Sequence, residues 1–156
     1  MKQLDWADFD ACVQLLTDRY GGRSLKGVFG IPRGGLCLAV GLSHSLGIPL
    51  LTTPDNQCLI VDDVFETGRT LKGLRDQWPE ATYAVWVSKA PPRWWDAAEV
   101  SLSSEWLLFP WENAAAALAD ESNYRQSRLD VKLDEPHHLF GLALWLFGAV
   151  ETTVAS

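Results

Sequence analysis

A chain of 156 residues has room for one domain with a hydrophobic core and little space for a second. Its hydrophobic fraction of 47% and charged fraction of 21% are those of an ordinary globular protein. The formal net charge of −7 argues against binding to bulk nucleic acid, because such binding requires Lys and Arg side chains to neutralise phosphates.

Helices and short apolar strands alternate along the first part of the chain. Apolar residues at helical spacing predict a helix over residues 5–20, which the Gly21-Gly22 pair ends. Residues 25–31 form the first predicted strand, and a second helix covers residues 36–46. Residues 48–52 are a candidate for another short strand, followed by a turn.

The clearest predicted strand covers residues 58–61, whose continuous apolar run favours burial on both faces, as in a parallel sheet. A helix over residues 68–78 and a strand over residues 83–87 follow. Two weaker strand candidates, residues 100–102 and 106–109, come after an irregular connection.

The C-terminal part of the chain is predicted to contain two helices and a loop. Residues 113–119 are an alanine-rich helix, and the polar residues 122–136 are predicted as loop. Residues 137–150 are apolar nearly all round but too few to cross a bilayer as a helix. We expect this segment to pack in the core or against a partner subunit, which predicts a homodimer and no membrane association.

This order of elements predicts an α/β fold with a mostly parallel sheet, formed by one domain over residues 1–156. Ligands in such folds bind outside the carboxyl ends of the strands. Polar residues that directly follow a strand are therefore the candidates for a functional site.

An acid pair and a glycine-containing loop follow the strand at residues 58–61. Asp62 and Asp63 come first, and Thr67, Gly68, Arg69 and Thr70 then open the next helix. Backbone N–H groups at such a turn, the helix N-terminus and threonine hydroxyls together favour a phosphate monoester. The two carboxylates suit a sugar diol and a Mg²⁺ ion.

The string CLIVDDVFETGRT at residues 58–70 resembles the signature of type I phosphoribosyltransferases, in which two acids precede a Thr-Gly-x-Thr loop. The resemblance extends over most of the chain and is closest to bacterial xanthine-guanine phosphoribosyltransferases. It implies a doubly wound sheet with helices on both faces. The glycine patterns of P-loop and dinucleotide-binding proteins are both absent from the sequence.

Three further segments carry the same resemblance, and each implies a binding role. Arg33, Gly34 and Gly35 follow the first strand, where the family binds pyrophosphate. Lys89 stands where the family has a lysine that contacts the exocyclic oxygen of a 6-oxopurine. Trp106 would stack on the purine, and the backbone of Leu107 would bind the edge of the base.

The sequence departs from the family at two places. Glu66 stands where the family usually has an aspartate near the reacting carbon, so a carboxylate is kept but its reach changes. The family's long loop over the site corresponds here to residues 52–57 alone, which are too few to form a lid. The polar residues 122–136 are one candidate to cover the site instead, and loss of catalysis is the alternative.

We therefore predict a Mg²⁺-dependent purine phosphoribosyltransferase that joins phosphoribosyl diphosphate to a 6-oxopurine. Asp62, Asp63 and Glu66 are the predicted catalytic residues, the acid pair also being the metal ligands. The competing hypothesis is a non-catalytic sensor of phosphoribosyl diphosphate or a nucleotide on the same fold. A receiver domain is disfavoured, because it would leave the Thr-Gly-Arg-Thr loop unexplained.

The cysteines and the N-terminus predict a cytoplasmic location. Cys12, Cys37 and Cys58 are odd in number, lack metal-ligand spacing and have apolar neighbours, so we expect reduced core thiols. The first residues contain no positive region followed by an apolar run, so no secretory signal is expected.

Overall fold

The computed structural model describes residues 1–133 of the chain. Clustering of contacts divides the chain into two compact units, Met1–Trp111 and Glu112–Ser156. The predicted helix at residues 137–150 lies outside the described residues, and the single domain over residues 1–156 stays a prediction. Within the described residues, no helix is long and apolar enough to cross a membrane.

The first unit is built on a four-stranded parallel sheet. Its strands in spatial order are β2 (Val28–Gly30), β3 (Leu59–Phe65), β4 (Thr82–Ser88) and β5 (Asp96–Val100). All three neighbouring pairs are parallel, so the carboxyl ends of the strands lie at one edge of the sheet. A second, two-stranded parallel sheet pairs β1 (Lys2–Gln3) with β6 (Leu107–Leu108).

Helices cover both faces of the four-stranded sheet, as the sequence predicts. Helices α1 (Trp6–Tyr20) and α2 (Gly35–Leu46) pack on one face, in a core that includes Leu59 and Val61. Helix α3 (Arg69–Gln77) packs on the other face through Leu71, in a core with Ile60. Successive residues of β3 thus serve opposite cores, which explains why its sequence is apolar without alternation.

Two strand predictions need correction. The strand predicted over residues 58–61 continues to Phe65, because β4 pairs with its later residues, Asp62 with Val85 and Phe65 with Ser88. The acid pair therefore lies inside β3, four and five residues into the strand. The strand predicted over residues 48–52 is reduced to a single bridge between Leu50 and Val28.

The region after β4 also differs from the prediction. The strand expected at residues 100–102 lies earlier, as β5, whereas β6 falls within the predicted residues 106–109.

The second unit begins with helix α4 (Ala114–Leu133), so the loop predicted over residues 122–136 is wrong as far as residue 133. The Asn113 side chain accepts from the N–H groups of Ala115 and Ala116 at the start of the helix, and Arg125 pairs with Glu121 at 2.6 Å one turn apart. Ser122, Asn123, Arg125 and Gln126 are exposed, so their polarity reflects an exposed helix face.

Candidate functional site

The carboxyl edge of the sheet brings the acid pair against the loop that follows β2. Gly34 lies so close to Asp63 that a Cβ atom placed on it would be 1.9 Å from Asp63 Oδ2. A Cβ atom on Gly35 would be 2.5 Å from the carbonyl oxygen of Val61. Neither glycine has a positive φ angle. They are required because the loop backbone passes directly over the acids.

The acid pair is half-buried, and its carboxylates are held by backbone groups. Asp62 Oδ1 accepts from the Asp63 N–H at 3.0 Å, and Asp63 Oδ1 accepts from the Val64 N–H at 2.8 Å. Burial, and secondly the neighbouring charge of Asp63, raises the pKa of Asp62 above its usual range. A cation or a sugar hydroxyl bound here would relieve this unfavourable concentration of negative charge.

The loop after β3 forms the start of helix α3. Gly68 adopts a left-handed conformation, with a φ angle of 71°, and caps the helix without a side-chain hydrogen bond. The first N–H groups of the helix are therefore available to an anion, and the helix dipole favours negative charge there. Glu66, Thr67, Arg69 and Thr70 are exposed at this position.

A cavity of about 170 Å³ joins Asp62 to this loop. Its walls are formed by Asp62, Val64, Phe65, Glu66, Thr67, Gly68, Arg69, Thr70 and Leu71. The cavity lining thus combines the carboxylates of Asp62 and Glu66 with the hydroxyl groups of Thr67 and Thr70 at the N-terminus of α3. This is the arrangement expected for a phosphorylated sugar.

The predicted base-binding residues lie at the next strand end. The Lys89 N–H donates to the carbonyl of Phe65 at 2.8 Å. Lys89 therefore lies beside the start of residues 66–70, the candidate phosphate loop. The Lys89 Nζ donates to the carbonyl of Glu105, which joins it to the segment that contains Trp106 and Leu107.

The backbone of Leu107 faces away from β1. The carbonyls of Trp106 and Leu108 accept from Lys2 and Leu4 of the β1 side, at 2.8 and 2.9 Å. Because successive residues of a strand direct their polar groups to opposite edges, the N–H and C=O of Leu107 point to the other side. The predicted use of this backbone in binding a base is compatible with that direction.

Of all the predicted site residues, Arg33 is the one whose predicted binding role the structure supports least. It is exposed, and its carbonyl accepts from the Leu36 N–H at 3.2 Å in the turn into α2. The backbone of this loop is joined to the acid pair through Gly34 and Gly35, whereas the guanidinium group faces solvent.

The short connection at residues 52–57 lies at the opposite edge of the sheet. The Lys26 N–H donates to the Gln57 carbonyl, and Lys26 Nζ pairs with Asp55 at 2.7 Å. Asn56 accepts from the N–H of Glu80. Residues 26 and 80 precede β2 and β4, so this connection is held at the amino ends of the strands. It therefore does not cover the acid pair, as its length predicts.

The carboxylates of Asp62 and Asp63 are the candidate ligands for a metal ion. Among residues 1–133, no group of three or more His, Cys, Asp and Glu residues is placed to hold a metal. Mg²⁺ in phosphate-binding sites is commonly held by one or two carboxylates together with substrate phosphates and water. Asp62 and Asp63 therefore fit a Mg²⁺ ion that is bound jointly with an anionic ligand.

Three residues next to the site were not predicted as part of it: Phe65, Ser88 and Trp95. The rings of Phe65 and Trp95 stack with centroids 3.9 Å apart and planes 13° apart. Trp95 Nε1 also donates to Ser88 Oγ at 3.2 Å. The unusual Trp94-Trp95 pair was the available sequence signal, but pairing Trp95 with Phe65 requires the tertiary structure.

Comparisons with known proteins agree with this geometry. No family model matches the chain. A xanthine-guanine phosphoribosyltransferase of Chromohalobacter salexigens is 25% identical over 151 aligned residues, covering 80% of this chain and 93% of that protein. One from Nitratidesulfovibrio vulgaris is 29% identical over 113 residues, covering 56% and 69%.

A solved structure supports the same assignment of the fold. The crystal structure of a purine phosphoribosyltransferase from Pyrococcus horikoshii superimposes with a TM-score of 0.62 and 26% identity, covering 72% of this chain and 94% of that one. The chain therefore has the type I phosphoribosyltransferase fold and is similar in sequence to bacterial xanthine-guanine phosphoribosyltransferases.

Proposed function

We propose that the protein is a purine phosphoribosyltransferase, which joins phosphoribosyl diphosphate to a free 6-oxopurine and releases pyrophosphate. The observation that supports this most strongly is the continuous cavity from Asp62, the first residue of the acid pair, to the N-terminus of α3. A sugar diol and a phosphate monoester are the two groups that such a cavity would bind. Similarity to xanthine-guanine phosphoribosyltransferases supports a purine as the second substrate.

Each part of the donor substrate has a candidate partner. Asp62 and Asp63 would accept hydrogen bonds from the ribose hydroxyls, and residues 67–70 would bind the 5′-phosphate. The loop with Arg33, Gly34 and Gly35 would bind pyrophosphate through its backbone N–H groups and the guanidinium. Mg²⁺ held by the acid pair would offset the charge of the diphosphate.

Two further groups would act on the base and on the reacting carbon. Lys89 and Trp106 would bind the purine by a hydrogen bond and by stacking, and Leu107 by its backbone. Glu66 lines the cavity beside the acid pair, where a carboxylate would stabilise positive charge that develops on the ribose. Because residues 52–57 lie at the opposite edge, any cover that excludes water from the reaction comes from another segment.

The test is an assay of pyrophosphate release with phosphoribosyl diphosphate, Mg²⁺ and four bases: guanine, xanthine, hypoxanthine and adenine. We expect turnover with at least one 6-oxopurine and none in the Asp62→Asn, Asp63→Asn double variant. Absence of turnover with every base would refute the enzymatic proposal. Calorimetric binding of phosphoribosyl diphosphate without turnover would instead support the sensor hypothesis.

We also propose that the protein is a cytoplasmic homodimer. The apolar residues 137–150 support an interface helix, because a small domain has limited core in which to bury them. Light scattering should give twice the chain mass of 17.3 kDa. A monomeric mass at micromolar concentration would contradict this proposal.

A further inference from the structure

The phosphate loop rests directly on an aromatic ring. A Cβ atom placed on Gly68 would be 2.4 Å from Phe65 Cζ, so the ring lies against the loop backbone with no space for a side chain. Phe65 is 8% exposed and ends β3 immediately before the loop. The position of this ring therefore determines where the N–H groups of the loop point.

The Phe65 ring also packs against Trp95. The two rings are stacked face to face, with centroids 3.9 Å apart and planes 13° apart. Trp95 is itself 6% exposed and belongs to the same core cluster as Leu71 of α3. The loop thus contacts the Phe65 ring, and the Phe65 ring in turn stacks on Trp95.

Trp95 also makes a polar contact to the segment that contains Lys89. Its Nε1 donates to Ser88 Oγ, and Ser88 Oγ donates to the Ala90 carbonyl at 2.6 Å. Ser88 is fully buried, so these bonds are shielded from water. They hold the turn on which the Lys89 side chain is carried.

We propose that Trp95 is a positioning residue for both halves of the ligand site: its ring face supports the phosphate loop, and its Nε1–H orders the Lys89 turn. This inference rests on the proposed function, because it assigns the two contacts to the phosphate side and the base side of one ligand.

Three substitutions separate the two contacts. Trp95→Phe keeps an aromatic ring against Phe65 and removes the Nε1–H group. Trp95→Leu removes both contacts. Ser88→Ala removes the polar contact from its other end and leaves the stack intact.

Two probes report the two sides by calorimetry. Ribose 5-phosphate reports the phosphate side, and the additional affinity of GMP over ribose 5-phosphate reports the base side. For Trp95→Phe and Ser88→Ala, we expect ribose 5-phosphate to bind within about twofold of wild type and GMP to bind about tenfold more weakly. For Trp95→Leu, we expect both ligands to bind about tenfold more weakly or worse.

Trp94→Leu is the matched control, because it removes a tryptophan from the neighbouring position. Trp94 packs edge-on against Tyr83 and against Trp95, with centroids 5.4 and 5.1 Å apart, and lies under the Arg75 guanidinium, which is 4.5 Å from its ring. Because Trp95 keeps its stack on Phe65 and its bond to Ser88 in this variant, both affinities should stay within about twofold of wild type. Equal losses in Trp94→Leu and Trp95→Leu would overturn the proposal, since they would indicate general loss of packing. Unchanged binding of both ligands to Trp95→Leu would overturn it as well.

A measurement without ligand separates this inference from the proposed function. If wild-type protein binds neither probe, the proposed function fails, and amide hydrogen exchange then decides the positioning role. Trp95→Leu should accelerate exchange over residues 67–71 relative to the core strand β3, and Trp94→Leu should not. Equal exchange of residues 67–71 in wild type and Trp95→Leu would refute the positioning role.

Discussion

Replacing Gly34 with alanine tests how closely the pyrophosphate loop approaches the acid pair. Gly34 has a φ angle of −58° and a ψ angle of −44°, which alanine adopts without strain. The new methyl group would nevertheless be placed 1.9, 2.3 and 2.7 Å from Asp63 Oδ2, Cγ and Oδ1. The substitution therefore isolates a steric collision with a single carboxylate.

The size of the effect follows from three contributions. Inserting a methylene-sized group into a filled space costs about 1–3 kcal/mol. Moving the carboxylate also weakens the bond from Val64 N–H to Asp63 Oδ1, at about 1 kcal/mol. Alanine restricts the unfolded chain and returns about 0.4–1 kcal/mol. We expect Gly34→Ala to lower the free energy of unfolding by about 1–3 kcal/mol.

A double-mutant cycle with Asp63→Ala identifies the cause. Once the Asp63 carboxylate is removed, the methyl group at position 34 no longer meets the three nearest atoms. Gly34→Ala should then be neutral or stabilising by up to about 1 kcal/mol, which gives a coupling energy of about 1–3 kcal/mol. Urea denaturation followed by tryptophan fluorescence measures all four proteins.

Gly73→Ala in α3 is the control for the cycle. A Cβ atom on Gly73 meets nothing within 4 Å, so alanine should stabilise the helix by about 0.5–1 kcal/mol. That gain should be the same with and without Asp63. Additive effects of Gly34→Ala and Asp63→Ala would refute the close approach of the loop to the acid pair.

Three other predictions concern stability. Asp5→Ala should cost about 1 kcal/mol in urea denaturation, because Asp5 Oδ1 accepts from the Asp8 N–H at 2.9 Å in the N-terminal capping box of α1. Trp86→Ala should cost about 3–5 kcal/mol by the same measurement, because this ring is 2% exposed and packs against two phenylalanines and Trp111. Burial, with the Glu99 carboxylate nearby, raises the pKa of Cys12 to about 12, so the thiol stays neutral in the folded chain while the unfolded chain ionises near pH 9. The neutral Cys12 thiol therefore makes its full contribution to the free energy of unfolding below that pH, and this contribution should fall by about 1.4 kcal/mol by pH 10. Urea midpoints should accordingly decline less steeply with pH in Cys12→Ala than in wild type.

The phosphate loop could be predicted from the sequence because its chemistry is local. Asp62, Asp63 and residues 67–70 are consecutive parts of one strand, loop and helix, and a glycine and hydroxyl groups at that junction have a restricted set of uses. Helices α1 and α2 could be predicted for the same reason, since their caps at Asp5 and Gly47 are short-range signals.

Predictions based on polarity alone were less successful. The polarity of the segment from residue 122 onward predicts a loop, but a helix with an exposed face has the same composition. The end of β3 was placed at Val61 because the apolar run stops there. The strand continues because β4 supplies hydrogen bonds to its polar residues, and that partner is distant in sequence.

What the sequence determined by itself was the α/β class and the identity of the phosphate-binding segment, because both depend on neighbours along the chain. Tertiary structure alone decided that Gly34 meets Asp63, that residues 52–57 lie at the opposite edge, and that Phe65 stacks on Trp95. Each of these contacts joins residues of different elements, and sequence periodicity carries no information on such pairs. The phosphate loop can therefore be predicted from the sequence, whereas the contact between the two rings that support it is seen only in the folded structure.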